Sequence, residues 1–178
     1  MERQVRRWTS QWEKSRFEEV PEVEELGRRL AAEVPTESRS GIIHGDYRLD
    51  NVVYDLAEPG RINAVLDWEL STLGDPMTDL GLLMLFWRDP SEGPLSMIPG
   101  VTHLPGFANR AEMLDRYAAV SGADLSAVDF HQAFAHFKFA AIVQGVAARS
   151  RAGAMAGQDF GDLDDQVRAL GAAGLQHL

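Results

Sequence analysis

The sequence predicts one domain of the mainly α-helical α+β class. Apolar residues recur every three or four positions near both ends of the chain, which is the spacing of an amphipathic helix. Between residues 42 and 66 they instead form three short runs separated by polar and turn-forming residues, which indicates small strands. The chain has 178 residues, of which 45% are hydrophobic, and this is enough to bury one core. We therefore expect residues 1–178 to form a single domain.

Two helices are predicted before the strands. The first runs from Met1 to Trp12, with apolar residues at helical spacing at Val5, Trp8 and Trp12. We expect both tryptophans to pack against the domain rather than to stack on a substrate. The second begins at Pro21 and ends before Pro35, and its apolar stripe consists of Val23, Leu26, Leu30 and Val34.

The three apolar runs predict strands at Ile42-Ile43, Val52 to Tyr54 and Ile62 to Leu66. The last two are separated by Glu58-Pro59-Gly60, a typical turn sequence, so they are expected to form a small β-hairpin.

The rest of the chain predicts helices. One follows Pro76 and stops at Asp89-Pro90, and its apolar face contains Leu80, Leu83, Met84 and Trp87. Residues 93–106 are rich in proline and glycine and predict a loop. Asn109 and Glu112 have the spacing of a capping box, which predicts a helix that Ser121-Gly122 ends. Two further helices are predicted around Phe130, Phe134, Phe137 and Ala141, and from Asp162 to Leu175.

Composition excludes several functional classes. The formal net charge of -10 argues against a nucleic-acid partner, because duplex binding needs a basic face. The absence of cysteine excludes disulfides, thiol catalysis and cysteine-bound zinc. The longest apolar stretch, from Leu80 to Trp87, is far shorter than the roughly 20 residues that cross a bilayer. We expect a soluble, cytoplasmic protein without membrane contact.

The segment HGDYRLDN, residues 44–51, contains the residues best suited to chemistry. Phosphoryl transfer from ATP needs a carboxylate that receives the proton of the acceptor hydroxyl, and oxygen ligands for Mg²⁺. Asp46 can serve as the carboxylate and Asn51 as a ligand. Their Asp-x-x-x-x-Asn spacing is that of a kinase catalytic loop.

A second segment, AVLDWE, ends an apolar strand with Asp67. A hairpin between Asn51 and Asp67 would bring the two residues together at its open end. Their oxygen atoms, with phosphate oxygens and water, could then satisfy the octahedral coordination of Mg²⁺.

The motifs HGDYRLDN, VLDWE and GDPMTDLG together resemble the aminoglycoside-phosphotransferase-like family, whose fold is related to that of protein kinases. The subgroup that the chain most resembles contains the kinase domains that occur alone in bacteria or fused to acyl-CoA dehydrogenases. The resemblance implies the C-terminal, catalytic lobe of a kinase-like fold, with a small β-hairpin at the catalytic loop.

The resemblance also implies roles for individual residues. Asp46 would be the catalytic base, and Arg48 would neutralise charge on the transferred phosphoryl group. Asn51 and Asp67 would bind Mg²⁺ and ATP, and Glu69 could assist a second metal ion. His44 would shape the loop, and Asp75 and Asp79 would be structural residues at the start of a helix.

The chain differs from the family pattern in one respect. No glycine-rich loop precedes HGDYRLDN, and the lysines are Lys14 and Lys138, so the lobe that covers the nucleotide phosphates is predicted to be absent. We expect the chain alone to fold but to be a poor kinase. An apolar strip near Ile42, Ile43 and the first helix would then be exposed or buried in a homodimer.

Other interpretations remain open at this point. Asp46, Asn51 and Asp67 could be turn-capping residues, and Arg48 could form a salt bridge with Asp50 or Asp75. The three polar residues His131, His136 and Lys138 are expected in satisfied or exposed positions rather than in a metal site.

The functional alternatives differ in class. The leading hypothesis is transfer of the ATP γ-phosphate to a hydroxyl of a small molecule. The acidic chain would suit an aminoglycoside or an amino alcohol, whereas the subgroup resemblance implies a hydroxyacyl compound. The alternative is a noncatalytic binding module that lacks its nucleotide lobe. A metal-dependent phosphohydrolase is disfavoured, because the sequence shows no nucleophilic Asp-x-Asp pair and no histidine cluster.

Overall fold

A computed structural model describes residues 1–36, 39–58, 60–92, 100–154 and 160–178. The helices are α1 (Glu2–Ser15), α2 (Pro21–Ala32), α3 (Met77–Phe86), α4 (Arg110–Ser121), α5 (Val128–Arg151) and α6 (Leu163–Leu175). The strands are β1 (Gly41–Ile43), β2 (Val52–Tyr54), β3 (Ile62–Val65) and β4 (Thr72–Gly74). Short 3₁₀ helices occur at Leu49–Asn51 and Trp68–Leu70. The mainly helical α+β class is therefore confirmed.

The predicted helices are all present, and the signals at their ends act as expected. Pro21 begins α2, and the capping box of α4 has both of its bonds, since Asn109 and Glu112 each accept a 2.9 Å hydrogen bond from the other's backbone. Gly122 follows α4 with the left-handed φ of 64°. Two predicted segments lie partly outside the described residues: the turn at Pro59 and residues 93–99 of the predicted loop.

The strands form two antiparallel pairs. β2 pairs with β3 as the predicted hairpin, and β1 pairs with β4, a strand that the sequence did not predict. In the second pair Ile42 lies opposite Leu73, and their side chains are 71% and 67% exposed. Ile43 points to the other face and is only 2% exposed, because side chains alternate along a strand. The prediction of an exposed apolar strip is therefore correct for Ile42 and wrong for Ile43.

Helix α5 forms the centre of the core. Its residues from Phe130 to Ala141 are buried on every side, as expected for a helix enclosed by other elements. It packs against α1, α2, α3 and α6. The contact with α3 is close: a Cβ atom on Gly81 would lie 2.4 Å from the carbonyl oxygen of His131. Glycine at this position lets α3, which contributes to the site described below, approach α5.

The tryptophans and histidines have structural positions. Trp12 is buried and Trp8 packs against the same core, as predicted. The ring of His136 is 2.8 Å from the carbonyl oxygen of Gln132, and burial lowers the pKa of His136 to about 4. His131 is fully buried, with Nδ1 3.4 Å from the hydroxyl of Thr78. The expectation of a satisfied position is confirmed for His136.

None of the helices in the described ranges combines the length and the apolar character needed to span a bilayer.

Candidate active site

The loop between β1 and β2 brings Asp46 and Asn51 together. Asn51 ends a 3₁₀ helix, and its Nδ2 group donates hydrogen bonds to the backbone oxygen of Asp46 at 2.8 Å and to Asp46 Oδ2 at 3.1 Å. Because Nδ2 is the donor in both bonds, the amide oxygen is the Asn51 atom that could ligate a cation. Asp46 is partly exposed, whereas Asn51 is 8% exposed.

Backbone and side-chain bonds place Asp67 at the same loop. The residue before it, Leu66, donates its N–H to the carbonyl of Asn51 at 2.8 Å, and its own carbonyl lies 2.7 Å from His44 Nε2. Asp67, two residues after the end of β3, therefore follows a backbone segment that is bonded to Asn51. Its side chain is exposed, so it is open to a ligand.

Asp67 also has an unusual backbone. Its φ of 63° and ψ of 58° are left-handed, and no other non-glycine residue in the described ranges has a positive φ. Aspartate adopts this conformation more readily than most residues, but it remains a cost that folded proteins concentrate at functional sites. The conformation is thus an independent reason to consider Asp67 functional.

His44 joins the two parts of the site. Its Nδ1 accepts the N–H of Asp46 at 3.2 Å while Nε2 contacts the Leu66 carbonyl. One nitrogen accepts and the other faces an acceptor, which is the arrangement of the tautomer that carries its proton on Nε2. The expected role of His44 in shaping the loop is confirmed by these bonds.

Asp79 and Asp75 have the structural positions that were predicted. Asp79, in the first turn of α3, accepts the N–H of His44 at 2.6 Å and that of Gly45 at 2.8 Å. Asp75 is buried and accepts the N–H of Met77 at 3.0 Å. The start of α3 is therefore attached directly to the loop that contains Asp46.

Arg48 contacts the acidic residues on both sides of it. Its Nε lies 3.5 Å from Asp46 Oδ2, and its Nη1 lies 3.2 Å from Asp50 Oδ2. The guanidinium carbon is 5.5 Å from the ring centre of Phe86. The salt bridge with Asp50 that was considered as an alternative is present, and the contact with Asp46 keeps the guanidinium next to the proposed base.

Glu69 lies two residues after Asp67 in the 3₁₀ helix Trp68–Leu70, and its side chain is exposed. Across the ranges that the structure describes, no three His, Cys, Asp or Glu side chains form a metal-binding cluster. The Asn51 amide oxygen and the Asp67 carboxylate are donors of the kind that Mg²⁺ prefers. The roles of Asn51, Asp67 and Glu69 in metal binding stay predictions.

One residue at the site was not predicted. Lys138 of α5 donates a hydrogen bond to the carbonyl of Gly45, directly before Asp46, and its side chain is 7% exposed. The sequence signal was a single lysine in a mostly apolar run, FAHFKFAA. Its partner could not be inferred, because it lies 93 positions earlier in the chain.

A small cavity of about 50 Å³ adjoins the loop. Its walls include the side chains of Arg48, Phe86, Trp87, Val101 and Thr102. Asp50 also lines the cavity, so its walls combine apolar surface with the Arg48–Asp50 ion pair.

The conformation of Gly45 leads to a stability prediction. Its φ is 86°, and an added Cβ atom would lie 2.6 Å from the carbonyl oxygen of Leu70. Gly45→Ala is expected to lower the free energy of unfolding by at least about 1–2 kcal/mol, the usual cost of left-handed backbone, as measured by urea denaturation. Gly60→Ala is the matched control, since nothing lies within 4 Å of its Cβ position. Equal stability of the two variants would contradict this view of the loop.

Comparison with known proteins agrees with these features. A sequence model of the phosphotransferase enzyme family matches residues 1–131. Acyl-CoA dehydrogenase family member 11 of Mus musculus is 37% identical over 98% of this chain, and family member 10 of the same organism is 35% identical over 94%. The chain spans only 23% and 16% of these two proteins.

A solved structure is also similar. The crystal structure of a candidate aminoglycoside phosphotransferase from Ralstonia eutropha JMP134 superposes with a TM-score of 0.84 and 34% sequence identity. The match covers 98% of this chain and 54% of the Ralstonia chain. The fold is thus the kinase-like fold of that enzyme class, and the chain belongs to the phosphotransferase enzyme family.

Proposed function

We propose that this chain is the catalytic part of an ATP-dependent phosphotransferase that acts on a hydroxyl group of a small molecule. The observation that carries the proposal is the pair of hydrogen bonds from Asn51 to Asp46, together with the bond between Leu66 and Asn51 that brings the backbone before Asp67 to the same loop. A proton acceptor and two oxygen ligands next to one another are what phosphoryl transfer requires.

In the proposed reaction Asp46 accepts the proton of the acceptor hydroxyl. The acceptor oxygen forms a bond to the γ-phosphorus, and the bond from that phosphorus to the bridging oxygen of ADP breaks. Arg48 lies beside Asp46 and would stabilise negative charge on the transferred group. Asn51 and Asp67 would hold Mg²⁺, which when bound neutralises charge on the nucleotide phosphates.

We further propose that residues outside 1–178 contribute to ATP binding. The matched Ralstonia chain is nearly twice as long as the matched region. Two protein ligands give weak metal binding on their own, and kinase-like enzymes depend on further contacts to the phosphates. The isolated chain is therefore expected to bind Mg²⁺-ATP more weakly than the full-length protein, meaning the natural polypeptide that contains residues 1–178.

For the acceptor we propose a hydroxyacyl compound. Phe86, Trp87 and Val101 give the cavity beside the loop apolar walls suited to a hydrocarbon chain, and Arg48 could contact an acidic group. The cavity admits only part of such a molecule. The names of the acyl-CoA dehydrogenase relatives support the same choice. An aminoglycoside is the second candidate, supported by the name of the Ralstonia protein and the net charge of -10.

The proposal is tested by measuring ADP formation by the full-length protein with Mg²⁺-ATP. A hydroxy fatty acyl-CoA, an aminoglycoside and an amino alcohol are compared at equal concentration, and ³¹P NMR identifies the phosphorylated product. We expect ADP formation to rise most with the hydroxyacyl compound. A stronger response to the aminoglycoside would overturn the acceptor assignment, and no ADP with any acceptor would favour a noncatalytic module.

A further inference from the structure

Lys138 is a buried cation in the central helix. Lysine is rarely buried without partners, because removing an ammonium group from water is costly. At 7% exposure the side chain must therefore be compensated by nearby groups, and those groups indicate its role.

The main partner of Lys138 is the backbone of the catalytic loop. Its ammonium group donates to the carbonyl oxygen of Gly45. This carbonyl belongs to the same peptide unit as the N–H of Asp46, which donates to His44 Nδ1. The peptide from which Asp46 extends is thus held at both ends, by Lys138 on one side and by His44 on the other.

The groups around the ammonium of Lys138 act on its charge in opposite directions, and burial has the largest effect. Trp8 of α1 presents its ring 5.4 Å from the ammonium group, within range of a cation–π contact. Burial lowers the pKa of Lys138, while the carboxylates of Asp46 and Asp79 raise it and Arg7 lowers it. Both carboxylates belong to the site. Asp79 accepts hydrogen bonds from the backbone of the catalytic loop, and Asp46 is the proposed base within that loop.

We propose that Lys138 is a positioning residue for phosphoryl transfer, which fixes the Gly45–Asp46 peptide and so the direction of the Asp46 side chain. The inference rests on the proposed function, in which Asp46 contacts the acceptor. Lys138 itself is not placed in contact with substrate.

This role differs from ordinary core packing in what it predicts. Methionine is unbranched and of similar length, so it fills the buried space and Lys138→Met should leave the protein folded. The substitution removes the donor to the Gly45 carbonyl, which lowers stability and loosens the loop. A small displacement of a reacting group can lower the reaction rate about 10²-fold when geometry is critical. We therefore expect Lys138→Met to lose most of its turnover while the protein remains folded.

The test uses the full-length protein with Mg²⁺-ATP and water as the phosphoryl acceptor, together with amide hydrogen exchange of the peptide that contains residues 44–46. Gln144→Met is the matched control. Gln144 is on the same helix, is 1% exposed, and its Nε2 makes no hydrogen bond within the described structure. Lys138→Arg keeps a cation with hydrogen-bond donors.

We expect Lys138→Met to lower kcat for ATP hydrolysis by about 10- to 100-fold, to change the KM for Mg²⁺-ATP by less than about threefold, and to speed exchange in residues 44–46. Gln144→Met should change none of these, and Lys138→Arg should recover most of the lost turnover. Should Lys138→Met not fold, Lys138→Gln has a shorter polar side chain and is expected to show the same losses.

The inference is overturned if Lys138→Met keeps the wild-type kcat and exchange rate, or if Gln144→Met loses as much. Hydrogen exchange separates this failure from that of the proposed function. A wild-type protein that forms no ADP with any of the acceptors named under the proposed function would refute the phosphotransferase activity, whereas unchanged exchange in Lys138→Met would refute the proposed role of Lys138 in fixing the loop.

Discussion

Asp46→Asn is expected to lower the rate of phosphoryl transfer by about 10²–10⁴-fold, the usual contribution of a positioned general base. The amide cannot accept the hydroxyl proton at neutral pH. Its oxygen can still accept a hydrogen bond from Asn51, so the loop should keep its shape. The affinity for Mg²⁺-ATP should change by less than about threefold, because the base acts on the acceptor. Turnover is measured by ADP release and affinity by calorimetry.

A control for Asp46→Asn is Asp115→Asn, which removes the same charge from an exposed position in α4. It should leave turnover unchanged. Near-normal phosphoryl transfer by Asp46→Asn would show that another group receives the proton. A parallel loss of ATP affinity would instead show that Asp46 binds the nucleotide or its metal.

The helices could be predicted because their signals are local. Asn109 and Glu112 are three residues apart and form the capping box that their types predict. Gly122 ends the same helix with a left-handed φ that favours glycine. Such signals involve residues within one helical turn, so they can be recognised in the sequence without knowledge of the tertiary structure.

Strand β4 could not be predicted for the opposite reason. Its three residues, Thr72 to Gly74, have neither the length nor the alternation of a recognisable strand. The strand exists because β1, about 30 residues earlier, offers unpaired backbone groups, and the pairing places Leu73 opposite Ile42. Pairing between distant segments leaves no pattern in either segment alone.

The site was predictable where its residues lie in one loop. The spacing of Asp46 and Asn51 predicted the proximity that their hydrogen bonds now show. The bonds that support the loop come from Asp79 and Lys138, which are 34 and 93 positions away from Gly45. Asp79 was expected at a helix start, but its partners, and the role of Lys138, required the tertiary structure.

Asp67→Ala is expected to weaken the binding of Mg²⁺-ATP at least about tenfold, which corresponds to about 1.4 kcal/mol. Asp67 is exposed and follows Leu66, whose N–H is bonded to the Asn51 carbonyl, and its carboxylate is the negatively charged ligand proposed for the metal that Asn51 would also bind. Its loss should also lower kcat, because a metal held by Asn51 alone would position the phosphates poorly. Calorimetric titration of the full-length protein measures the affinity.

The left-handed backbone of Asp67 could complicate this result, because alanine tolerates a φ of 63° less well than aspartate. Asp67→Asn separates the two effects, since asparagine accepts this conformation but lacks the charge. Both variants should therefore lose affinity, and Asp67→Ala alone should also lose folding stability. Titrating ATP in the presence of EDTA supplies the second control: without metal, wild type and variants should bind ATP equally weakly. A loss of affinity that persists in EDTA would mean that Asp67 contacts the nucleotide directly or shapes its pocket, and the assignment of Asp67 as a metal ligand would then be wrong.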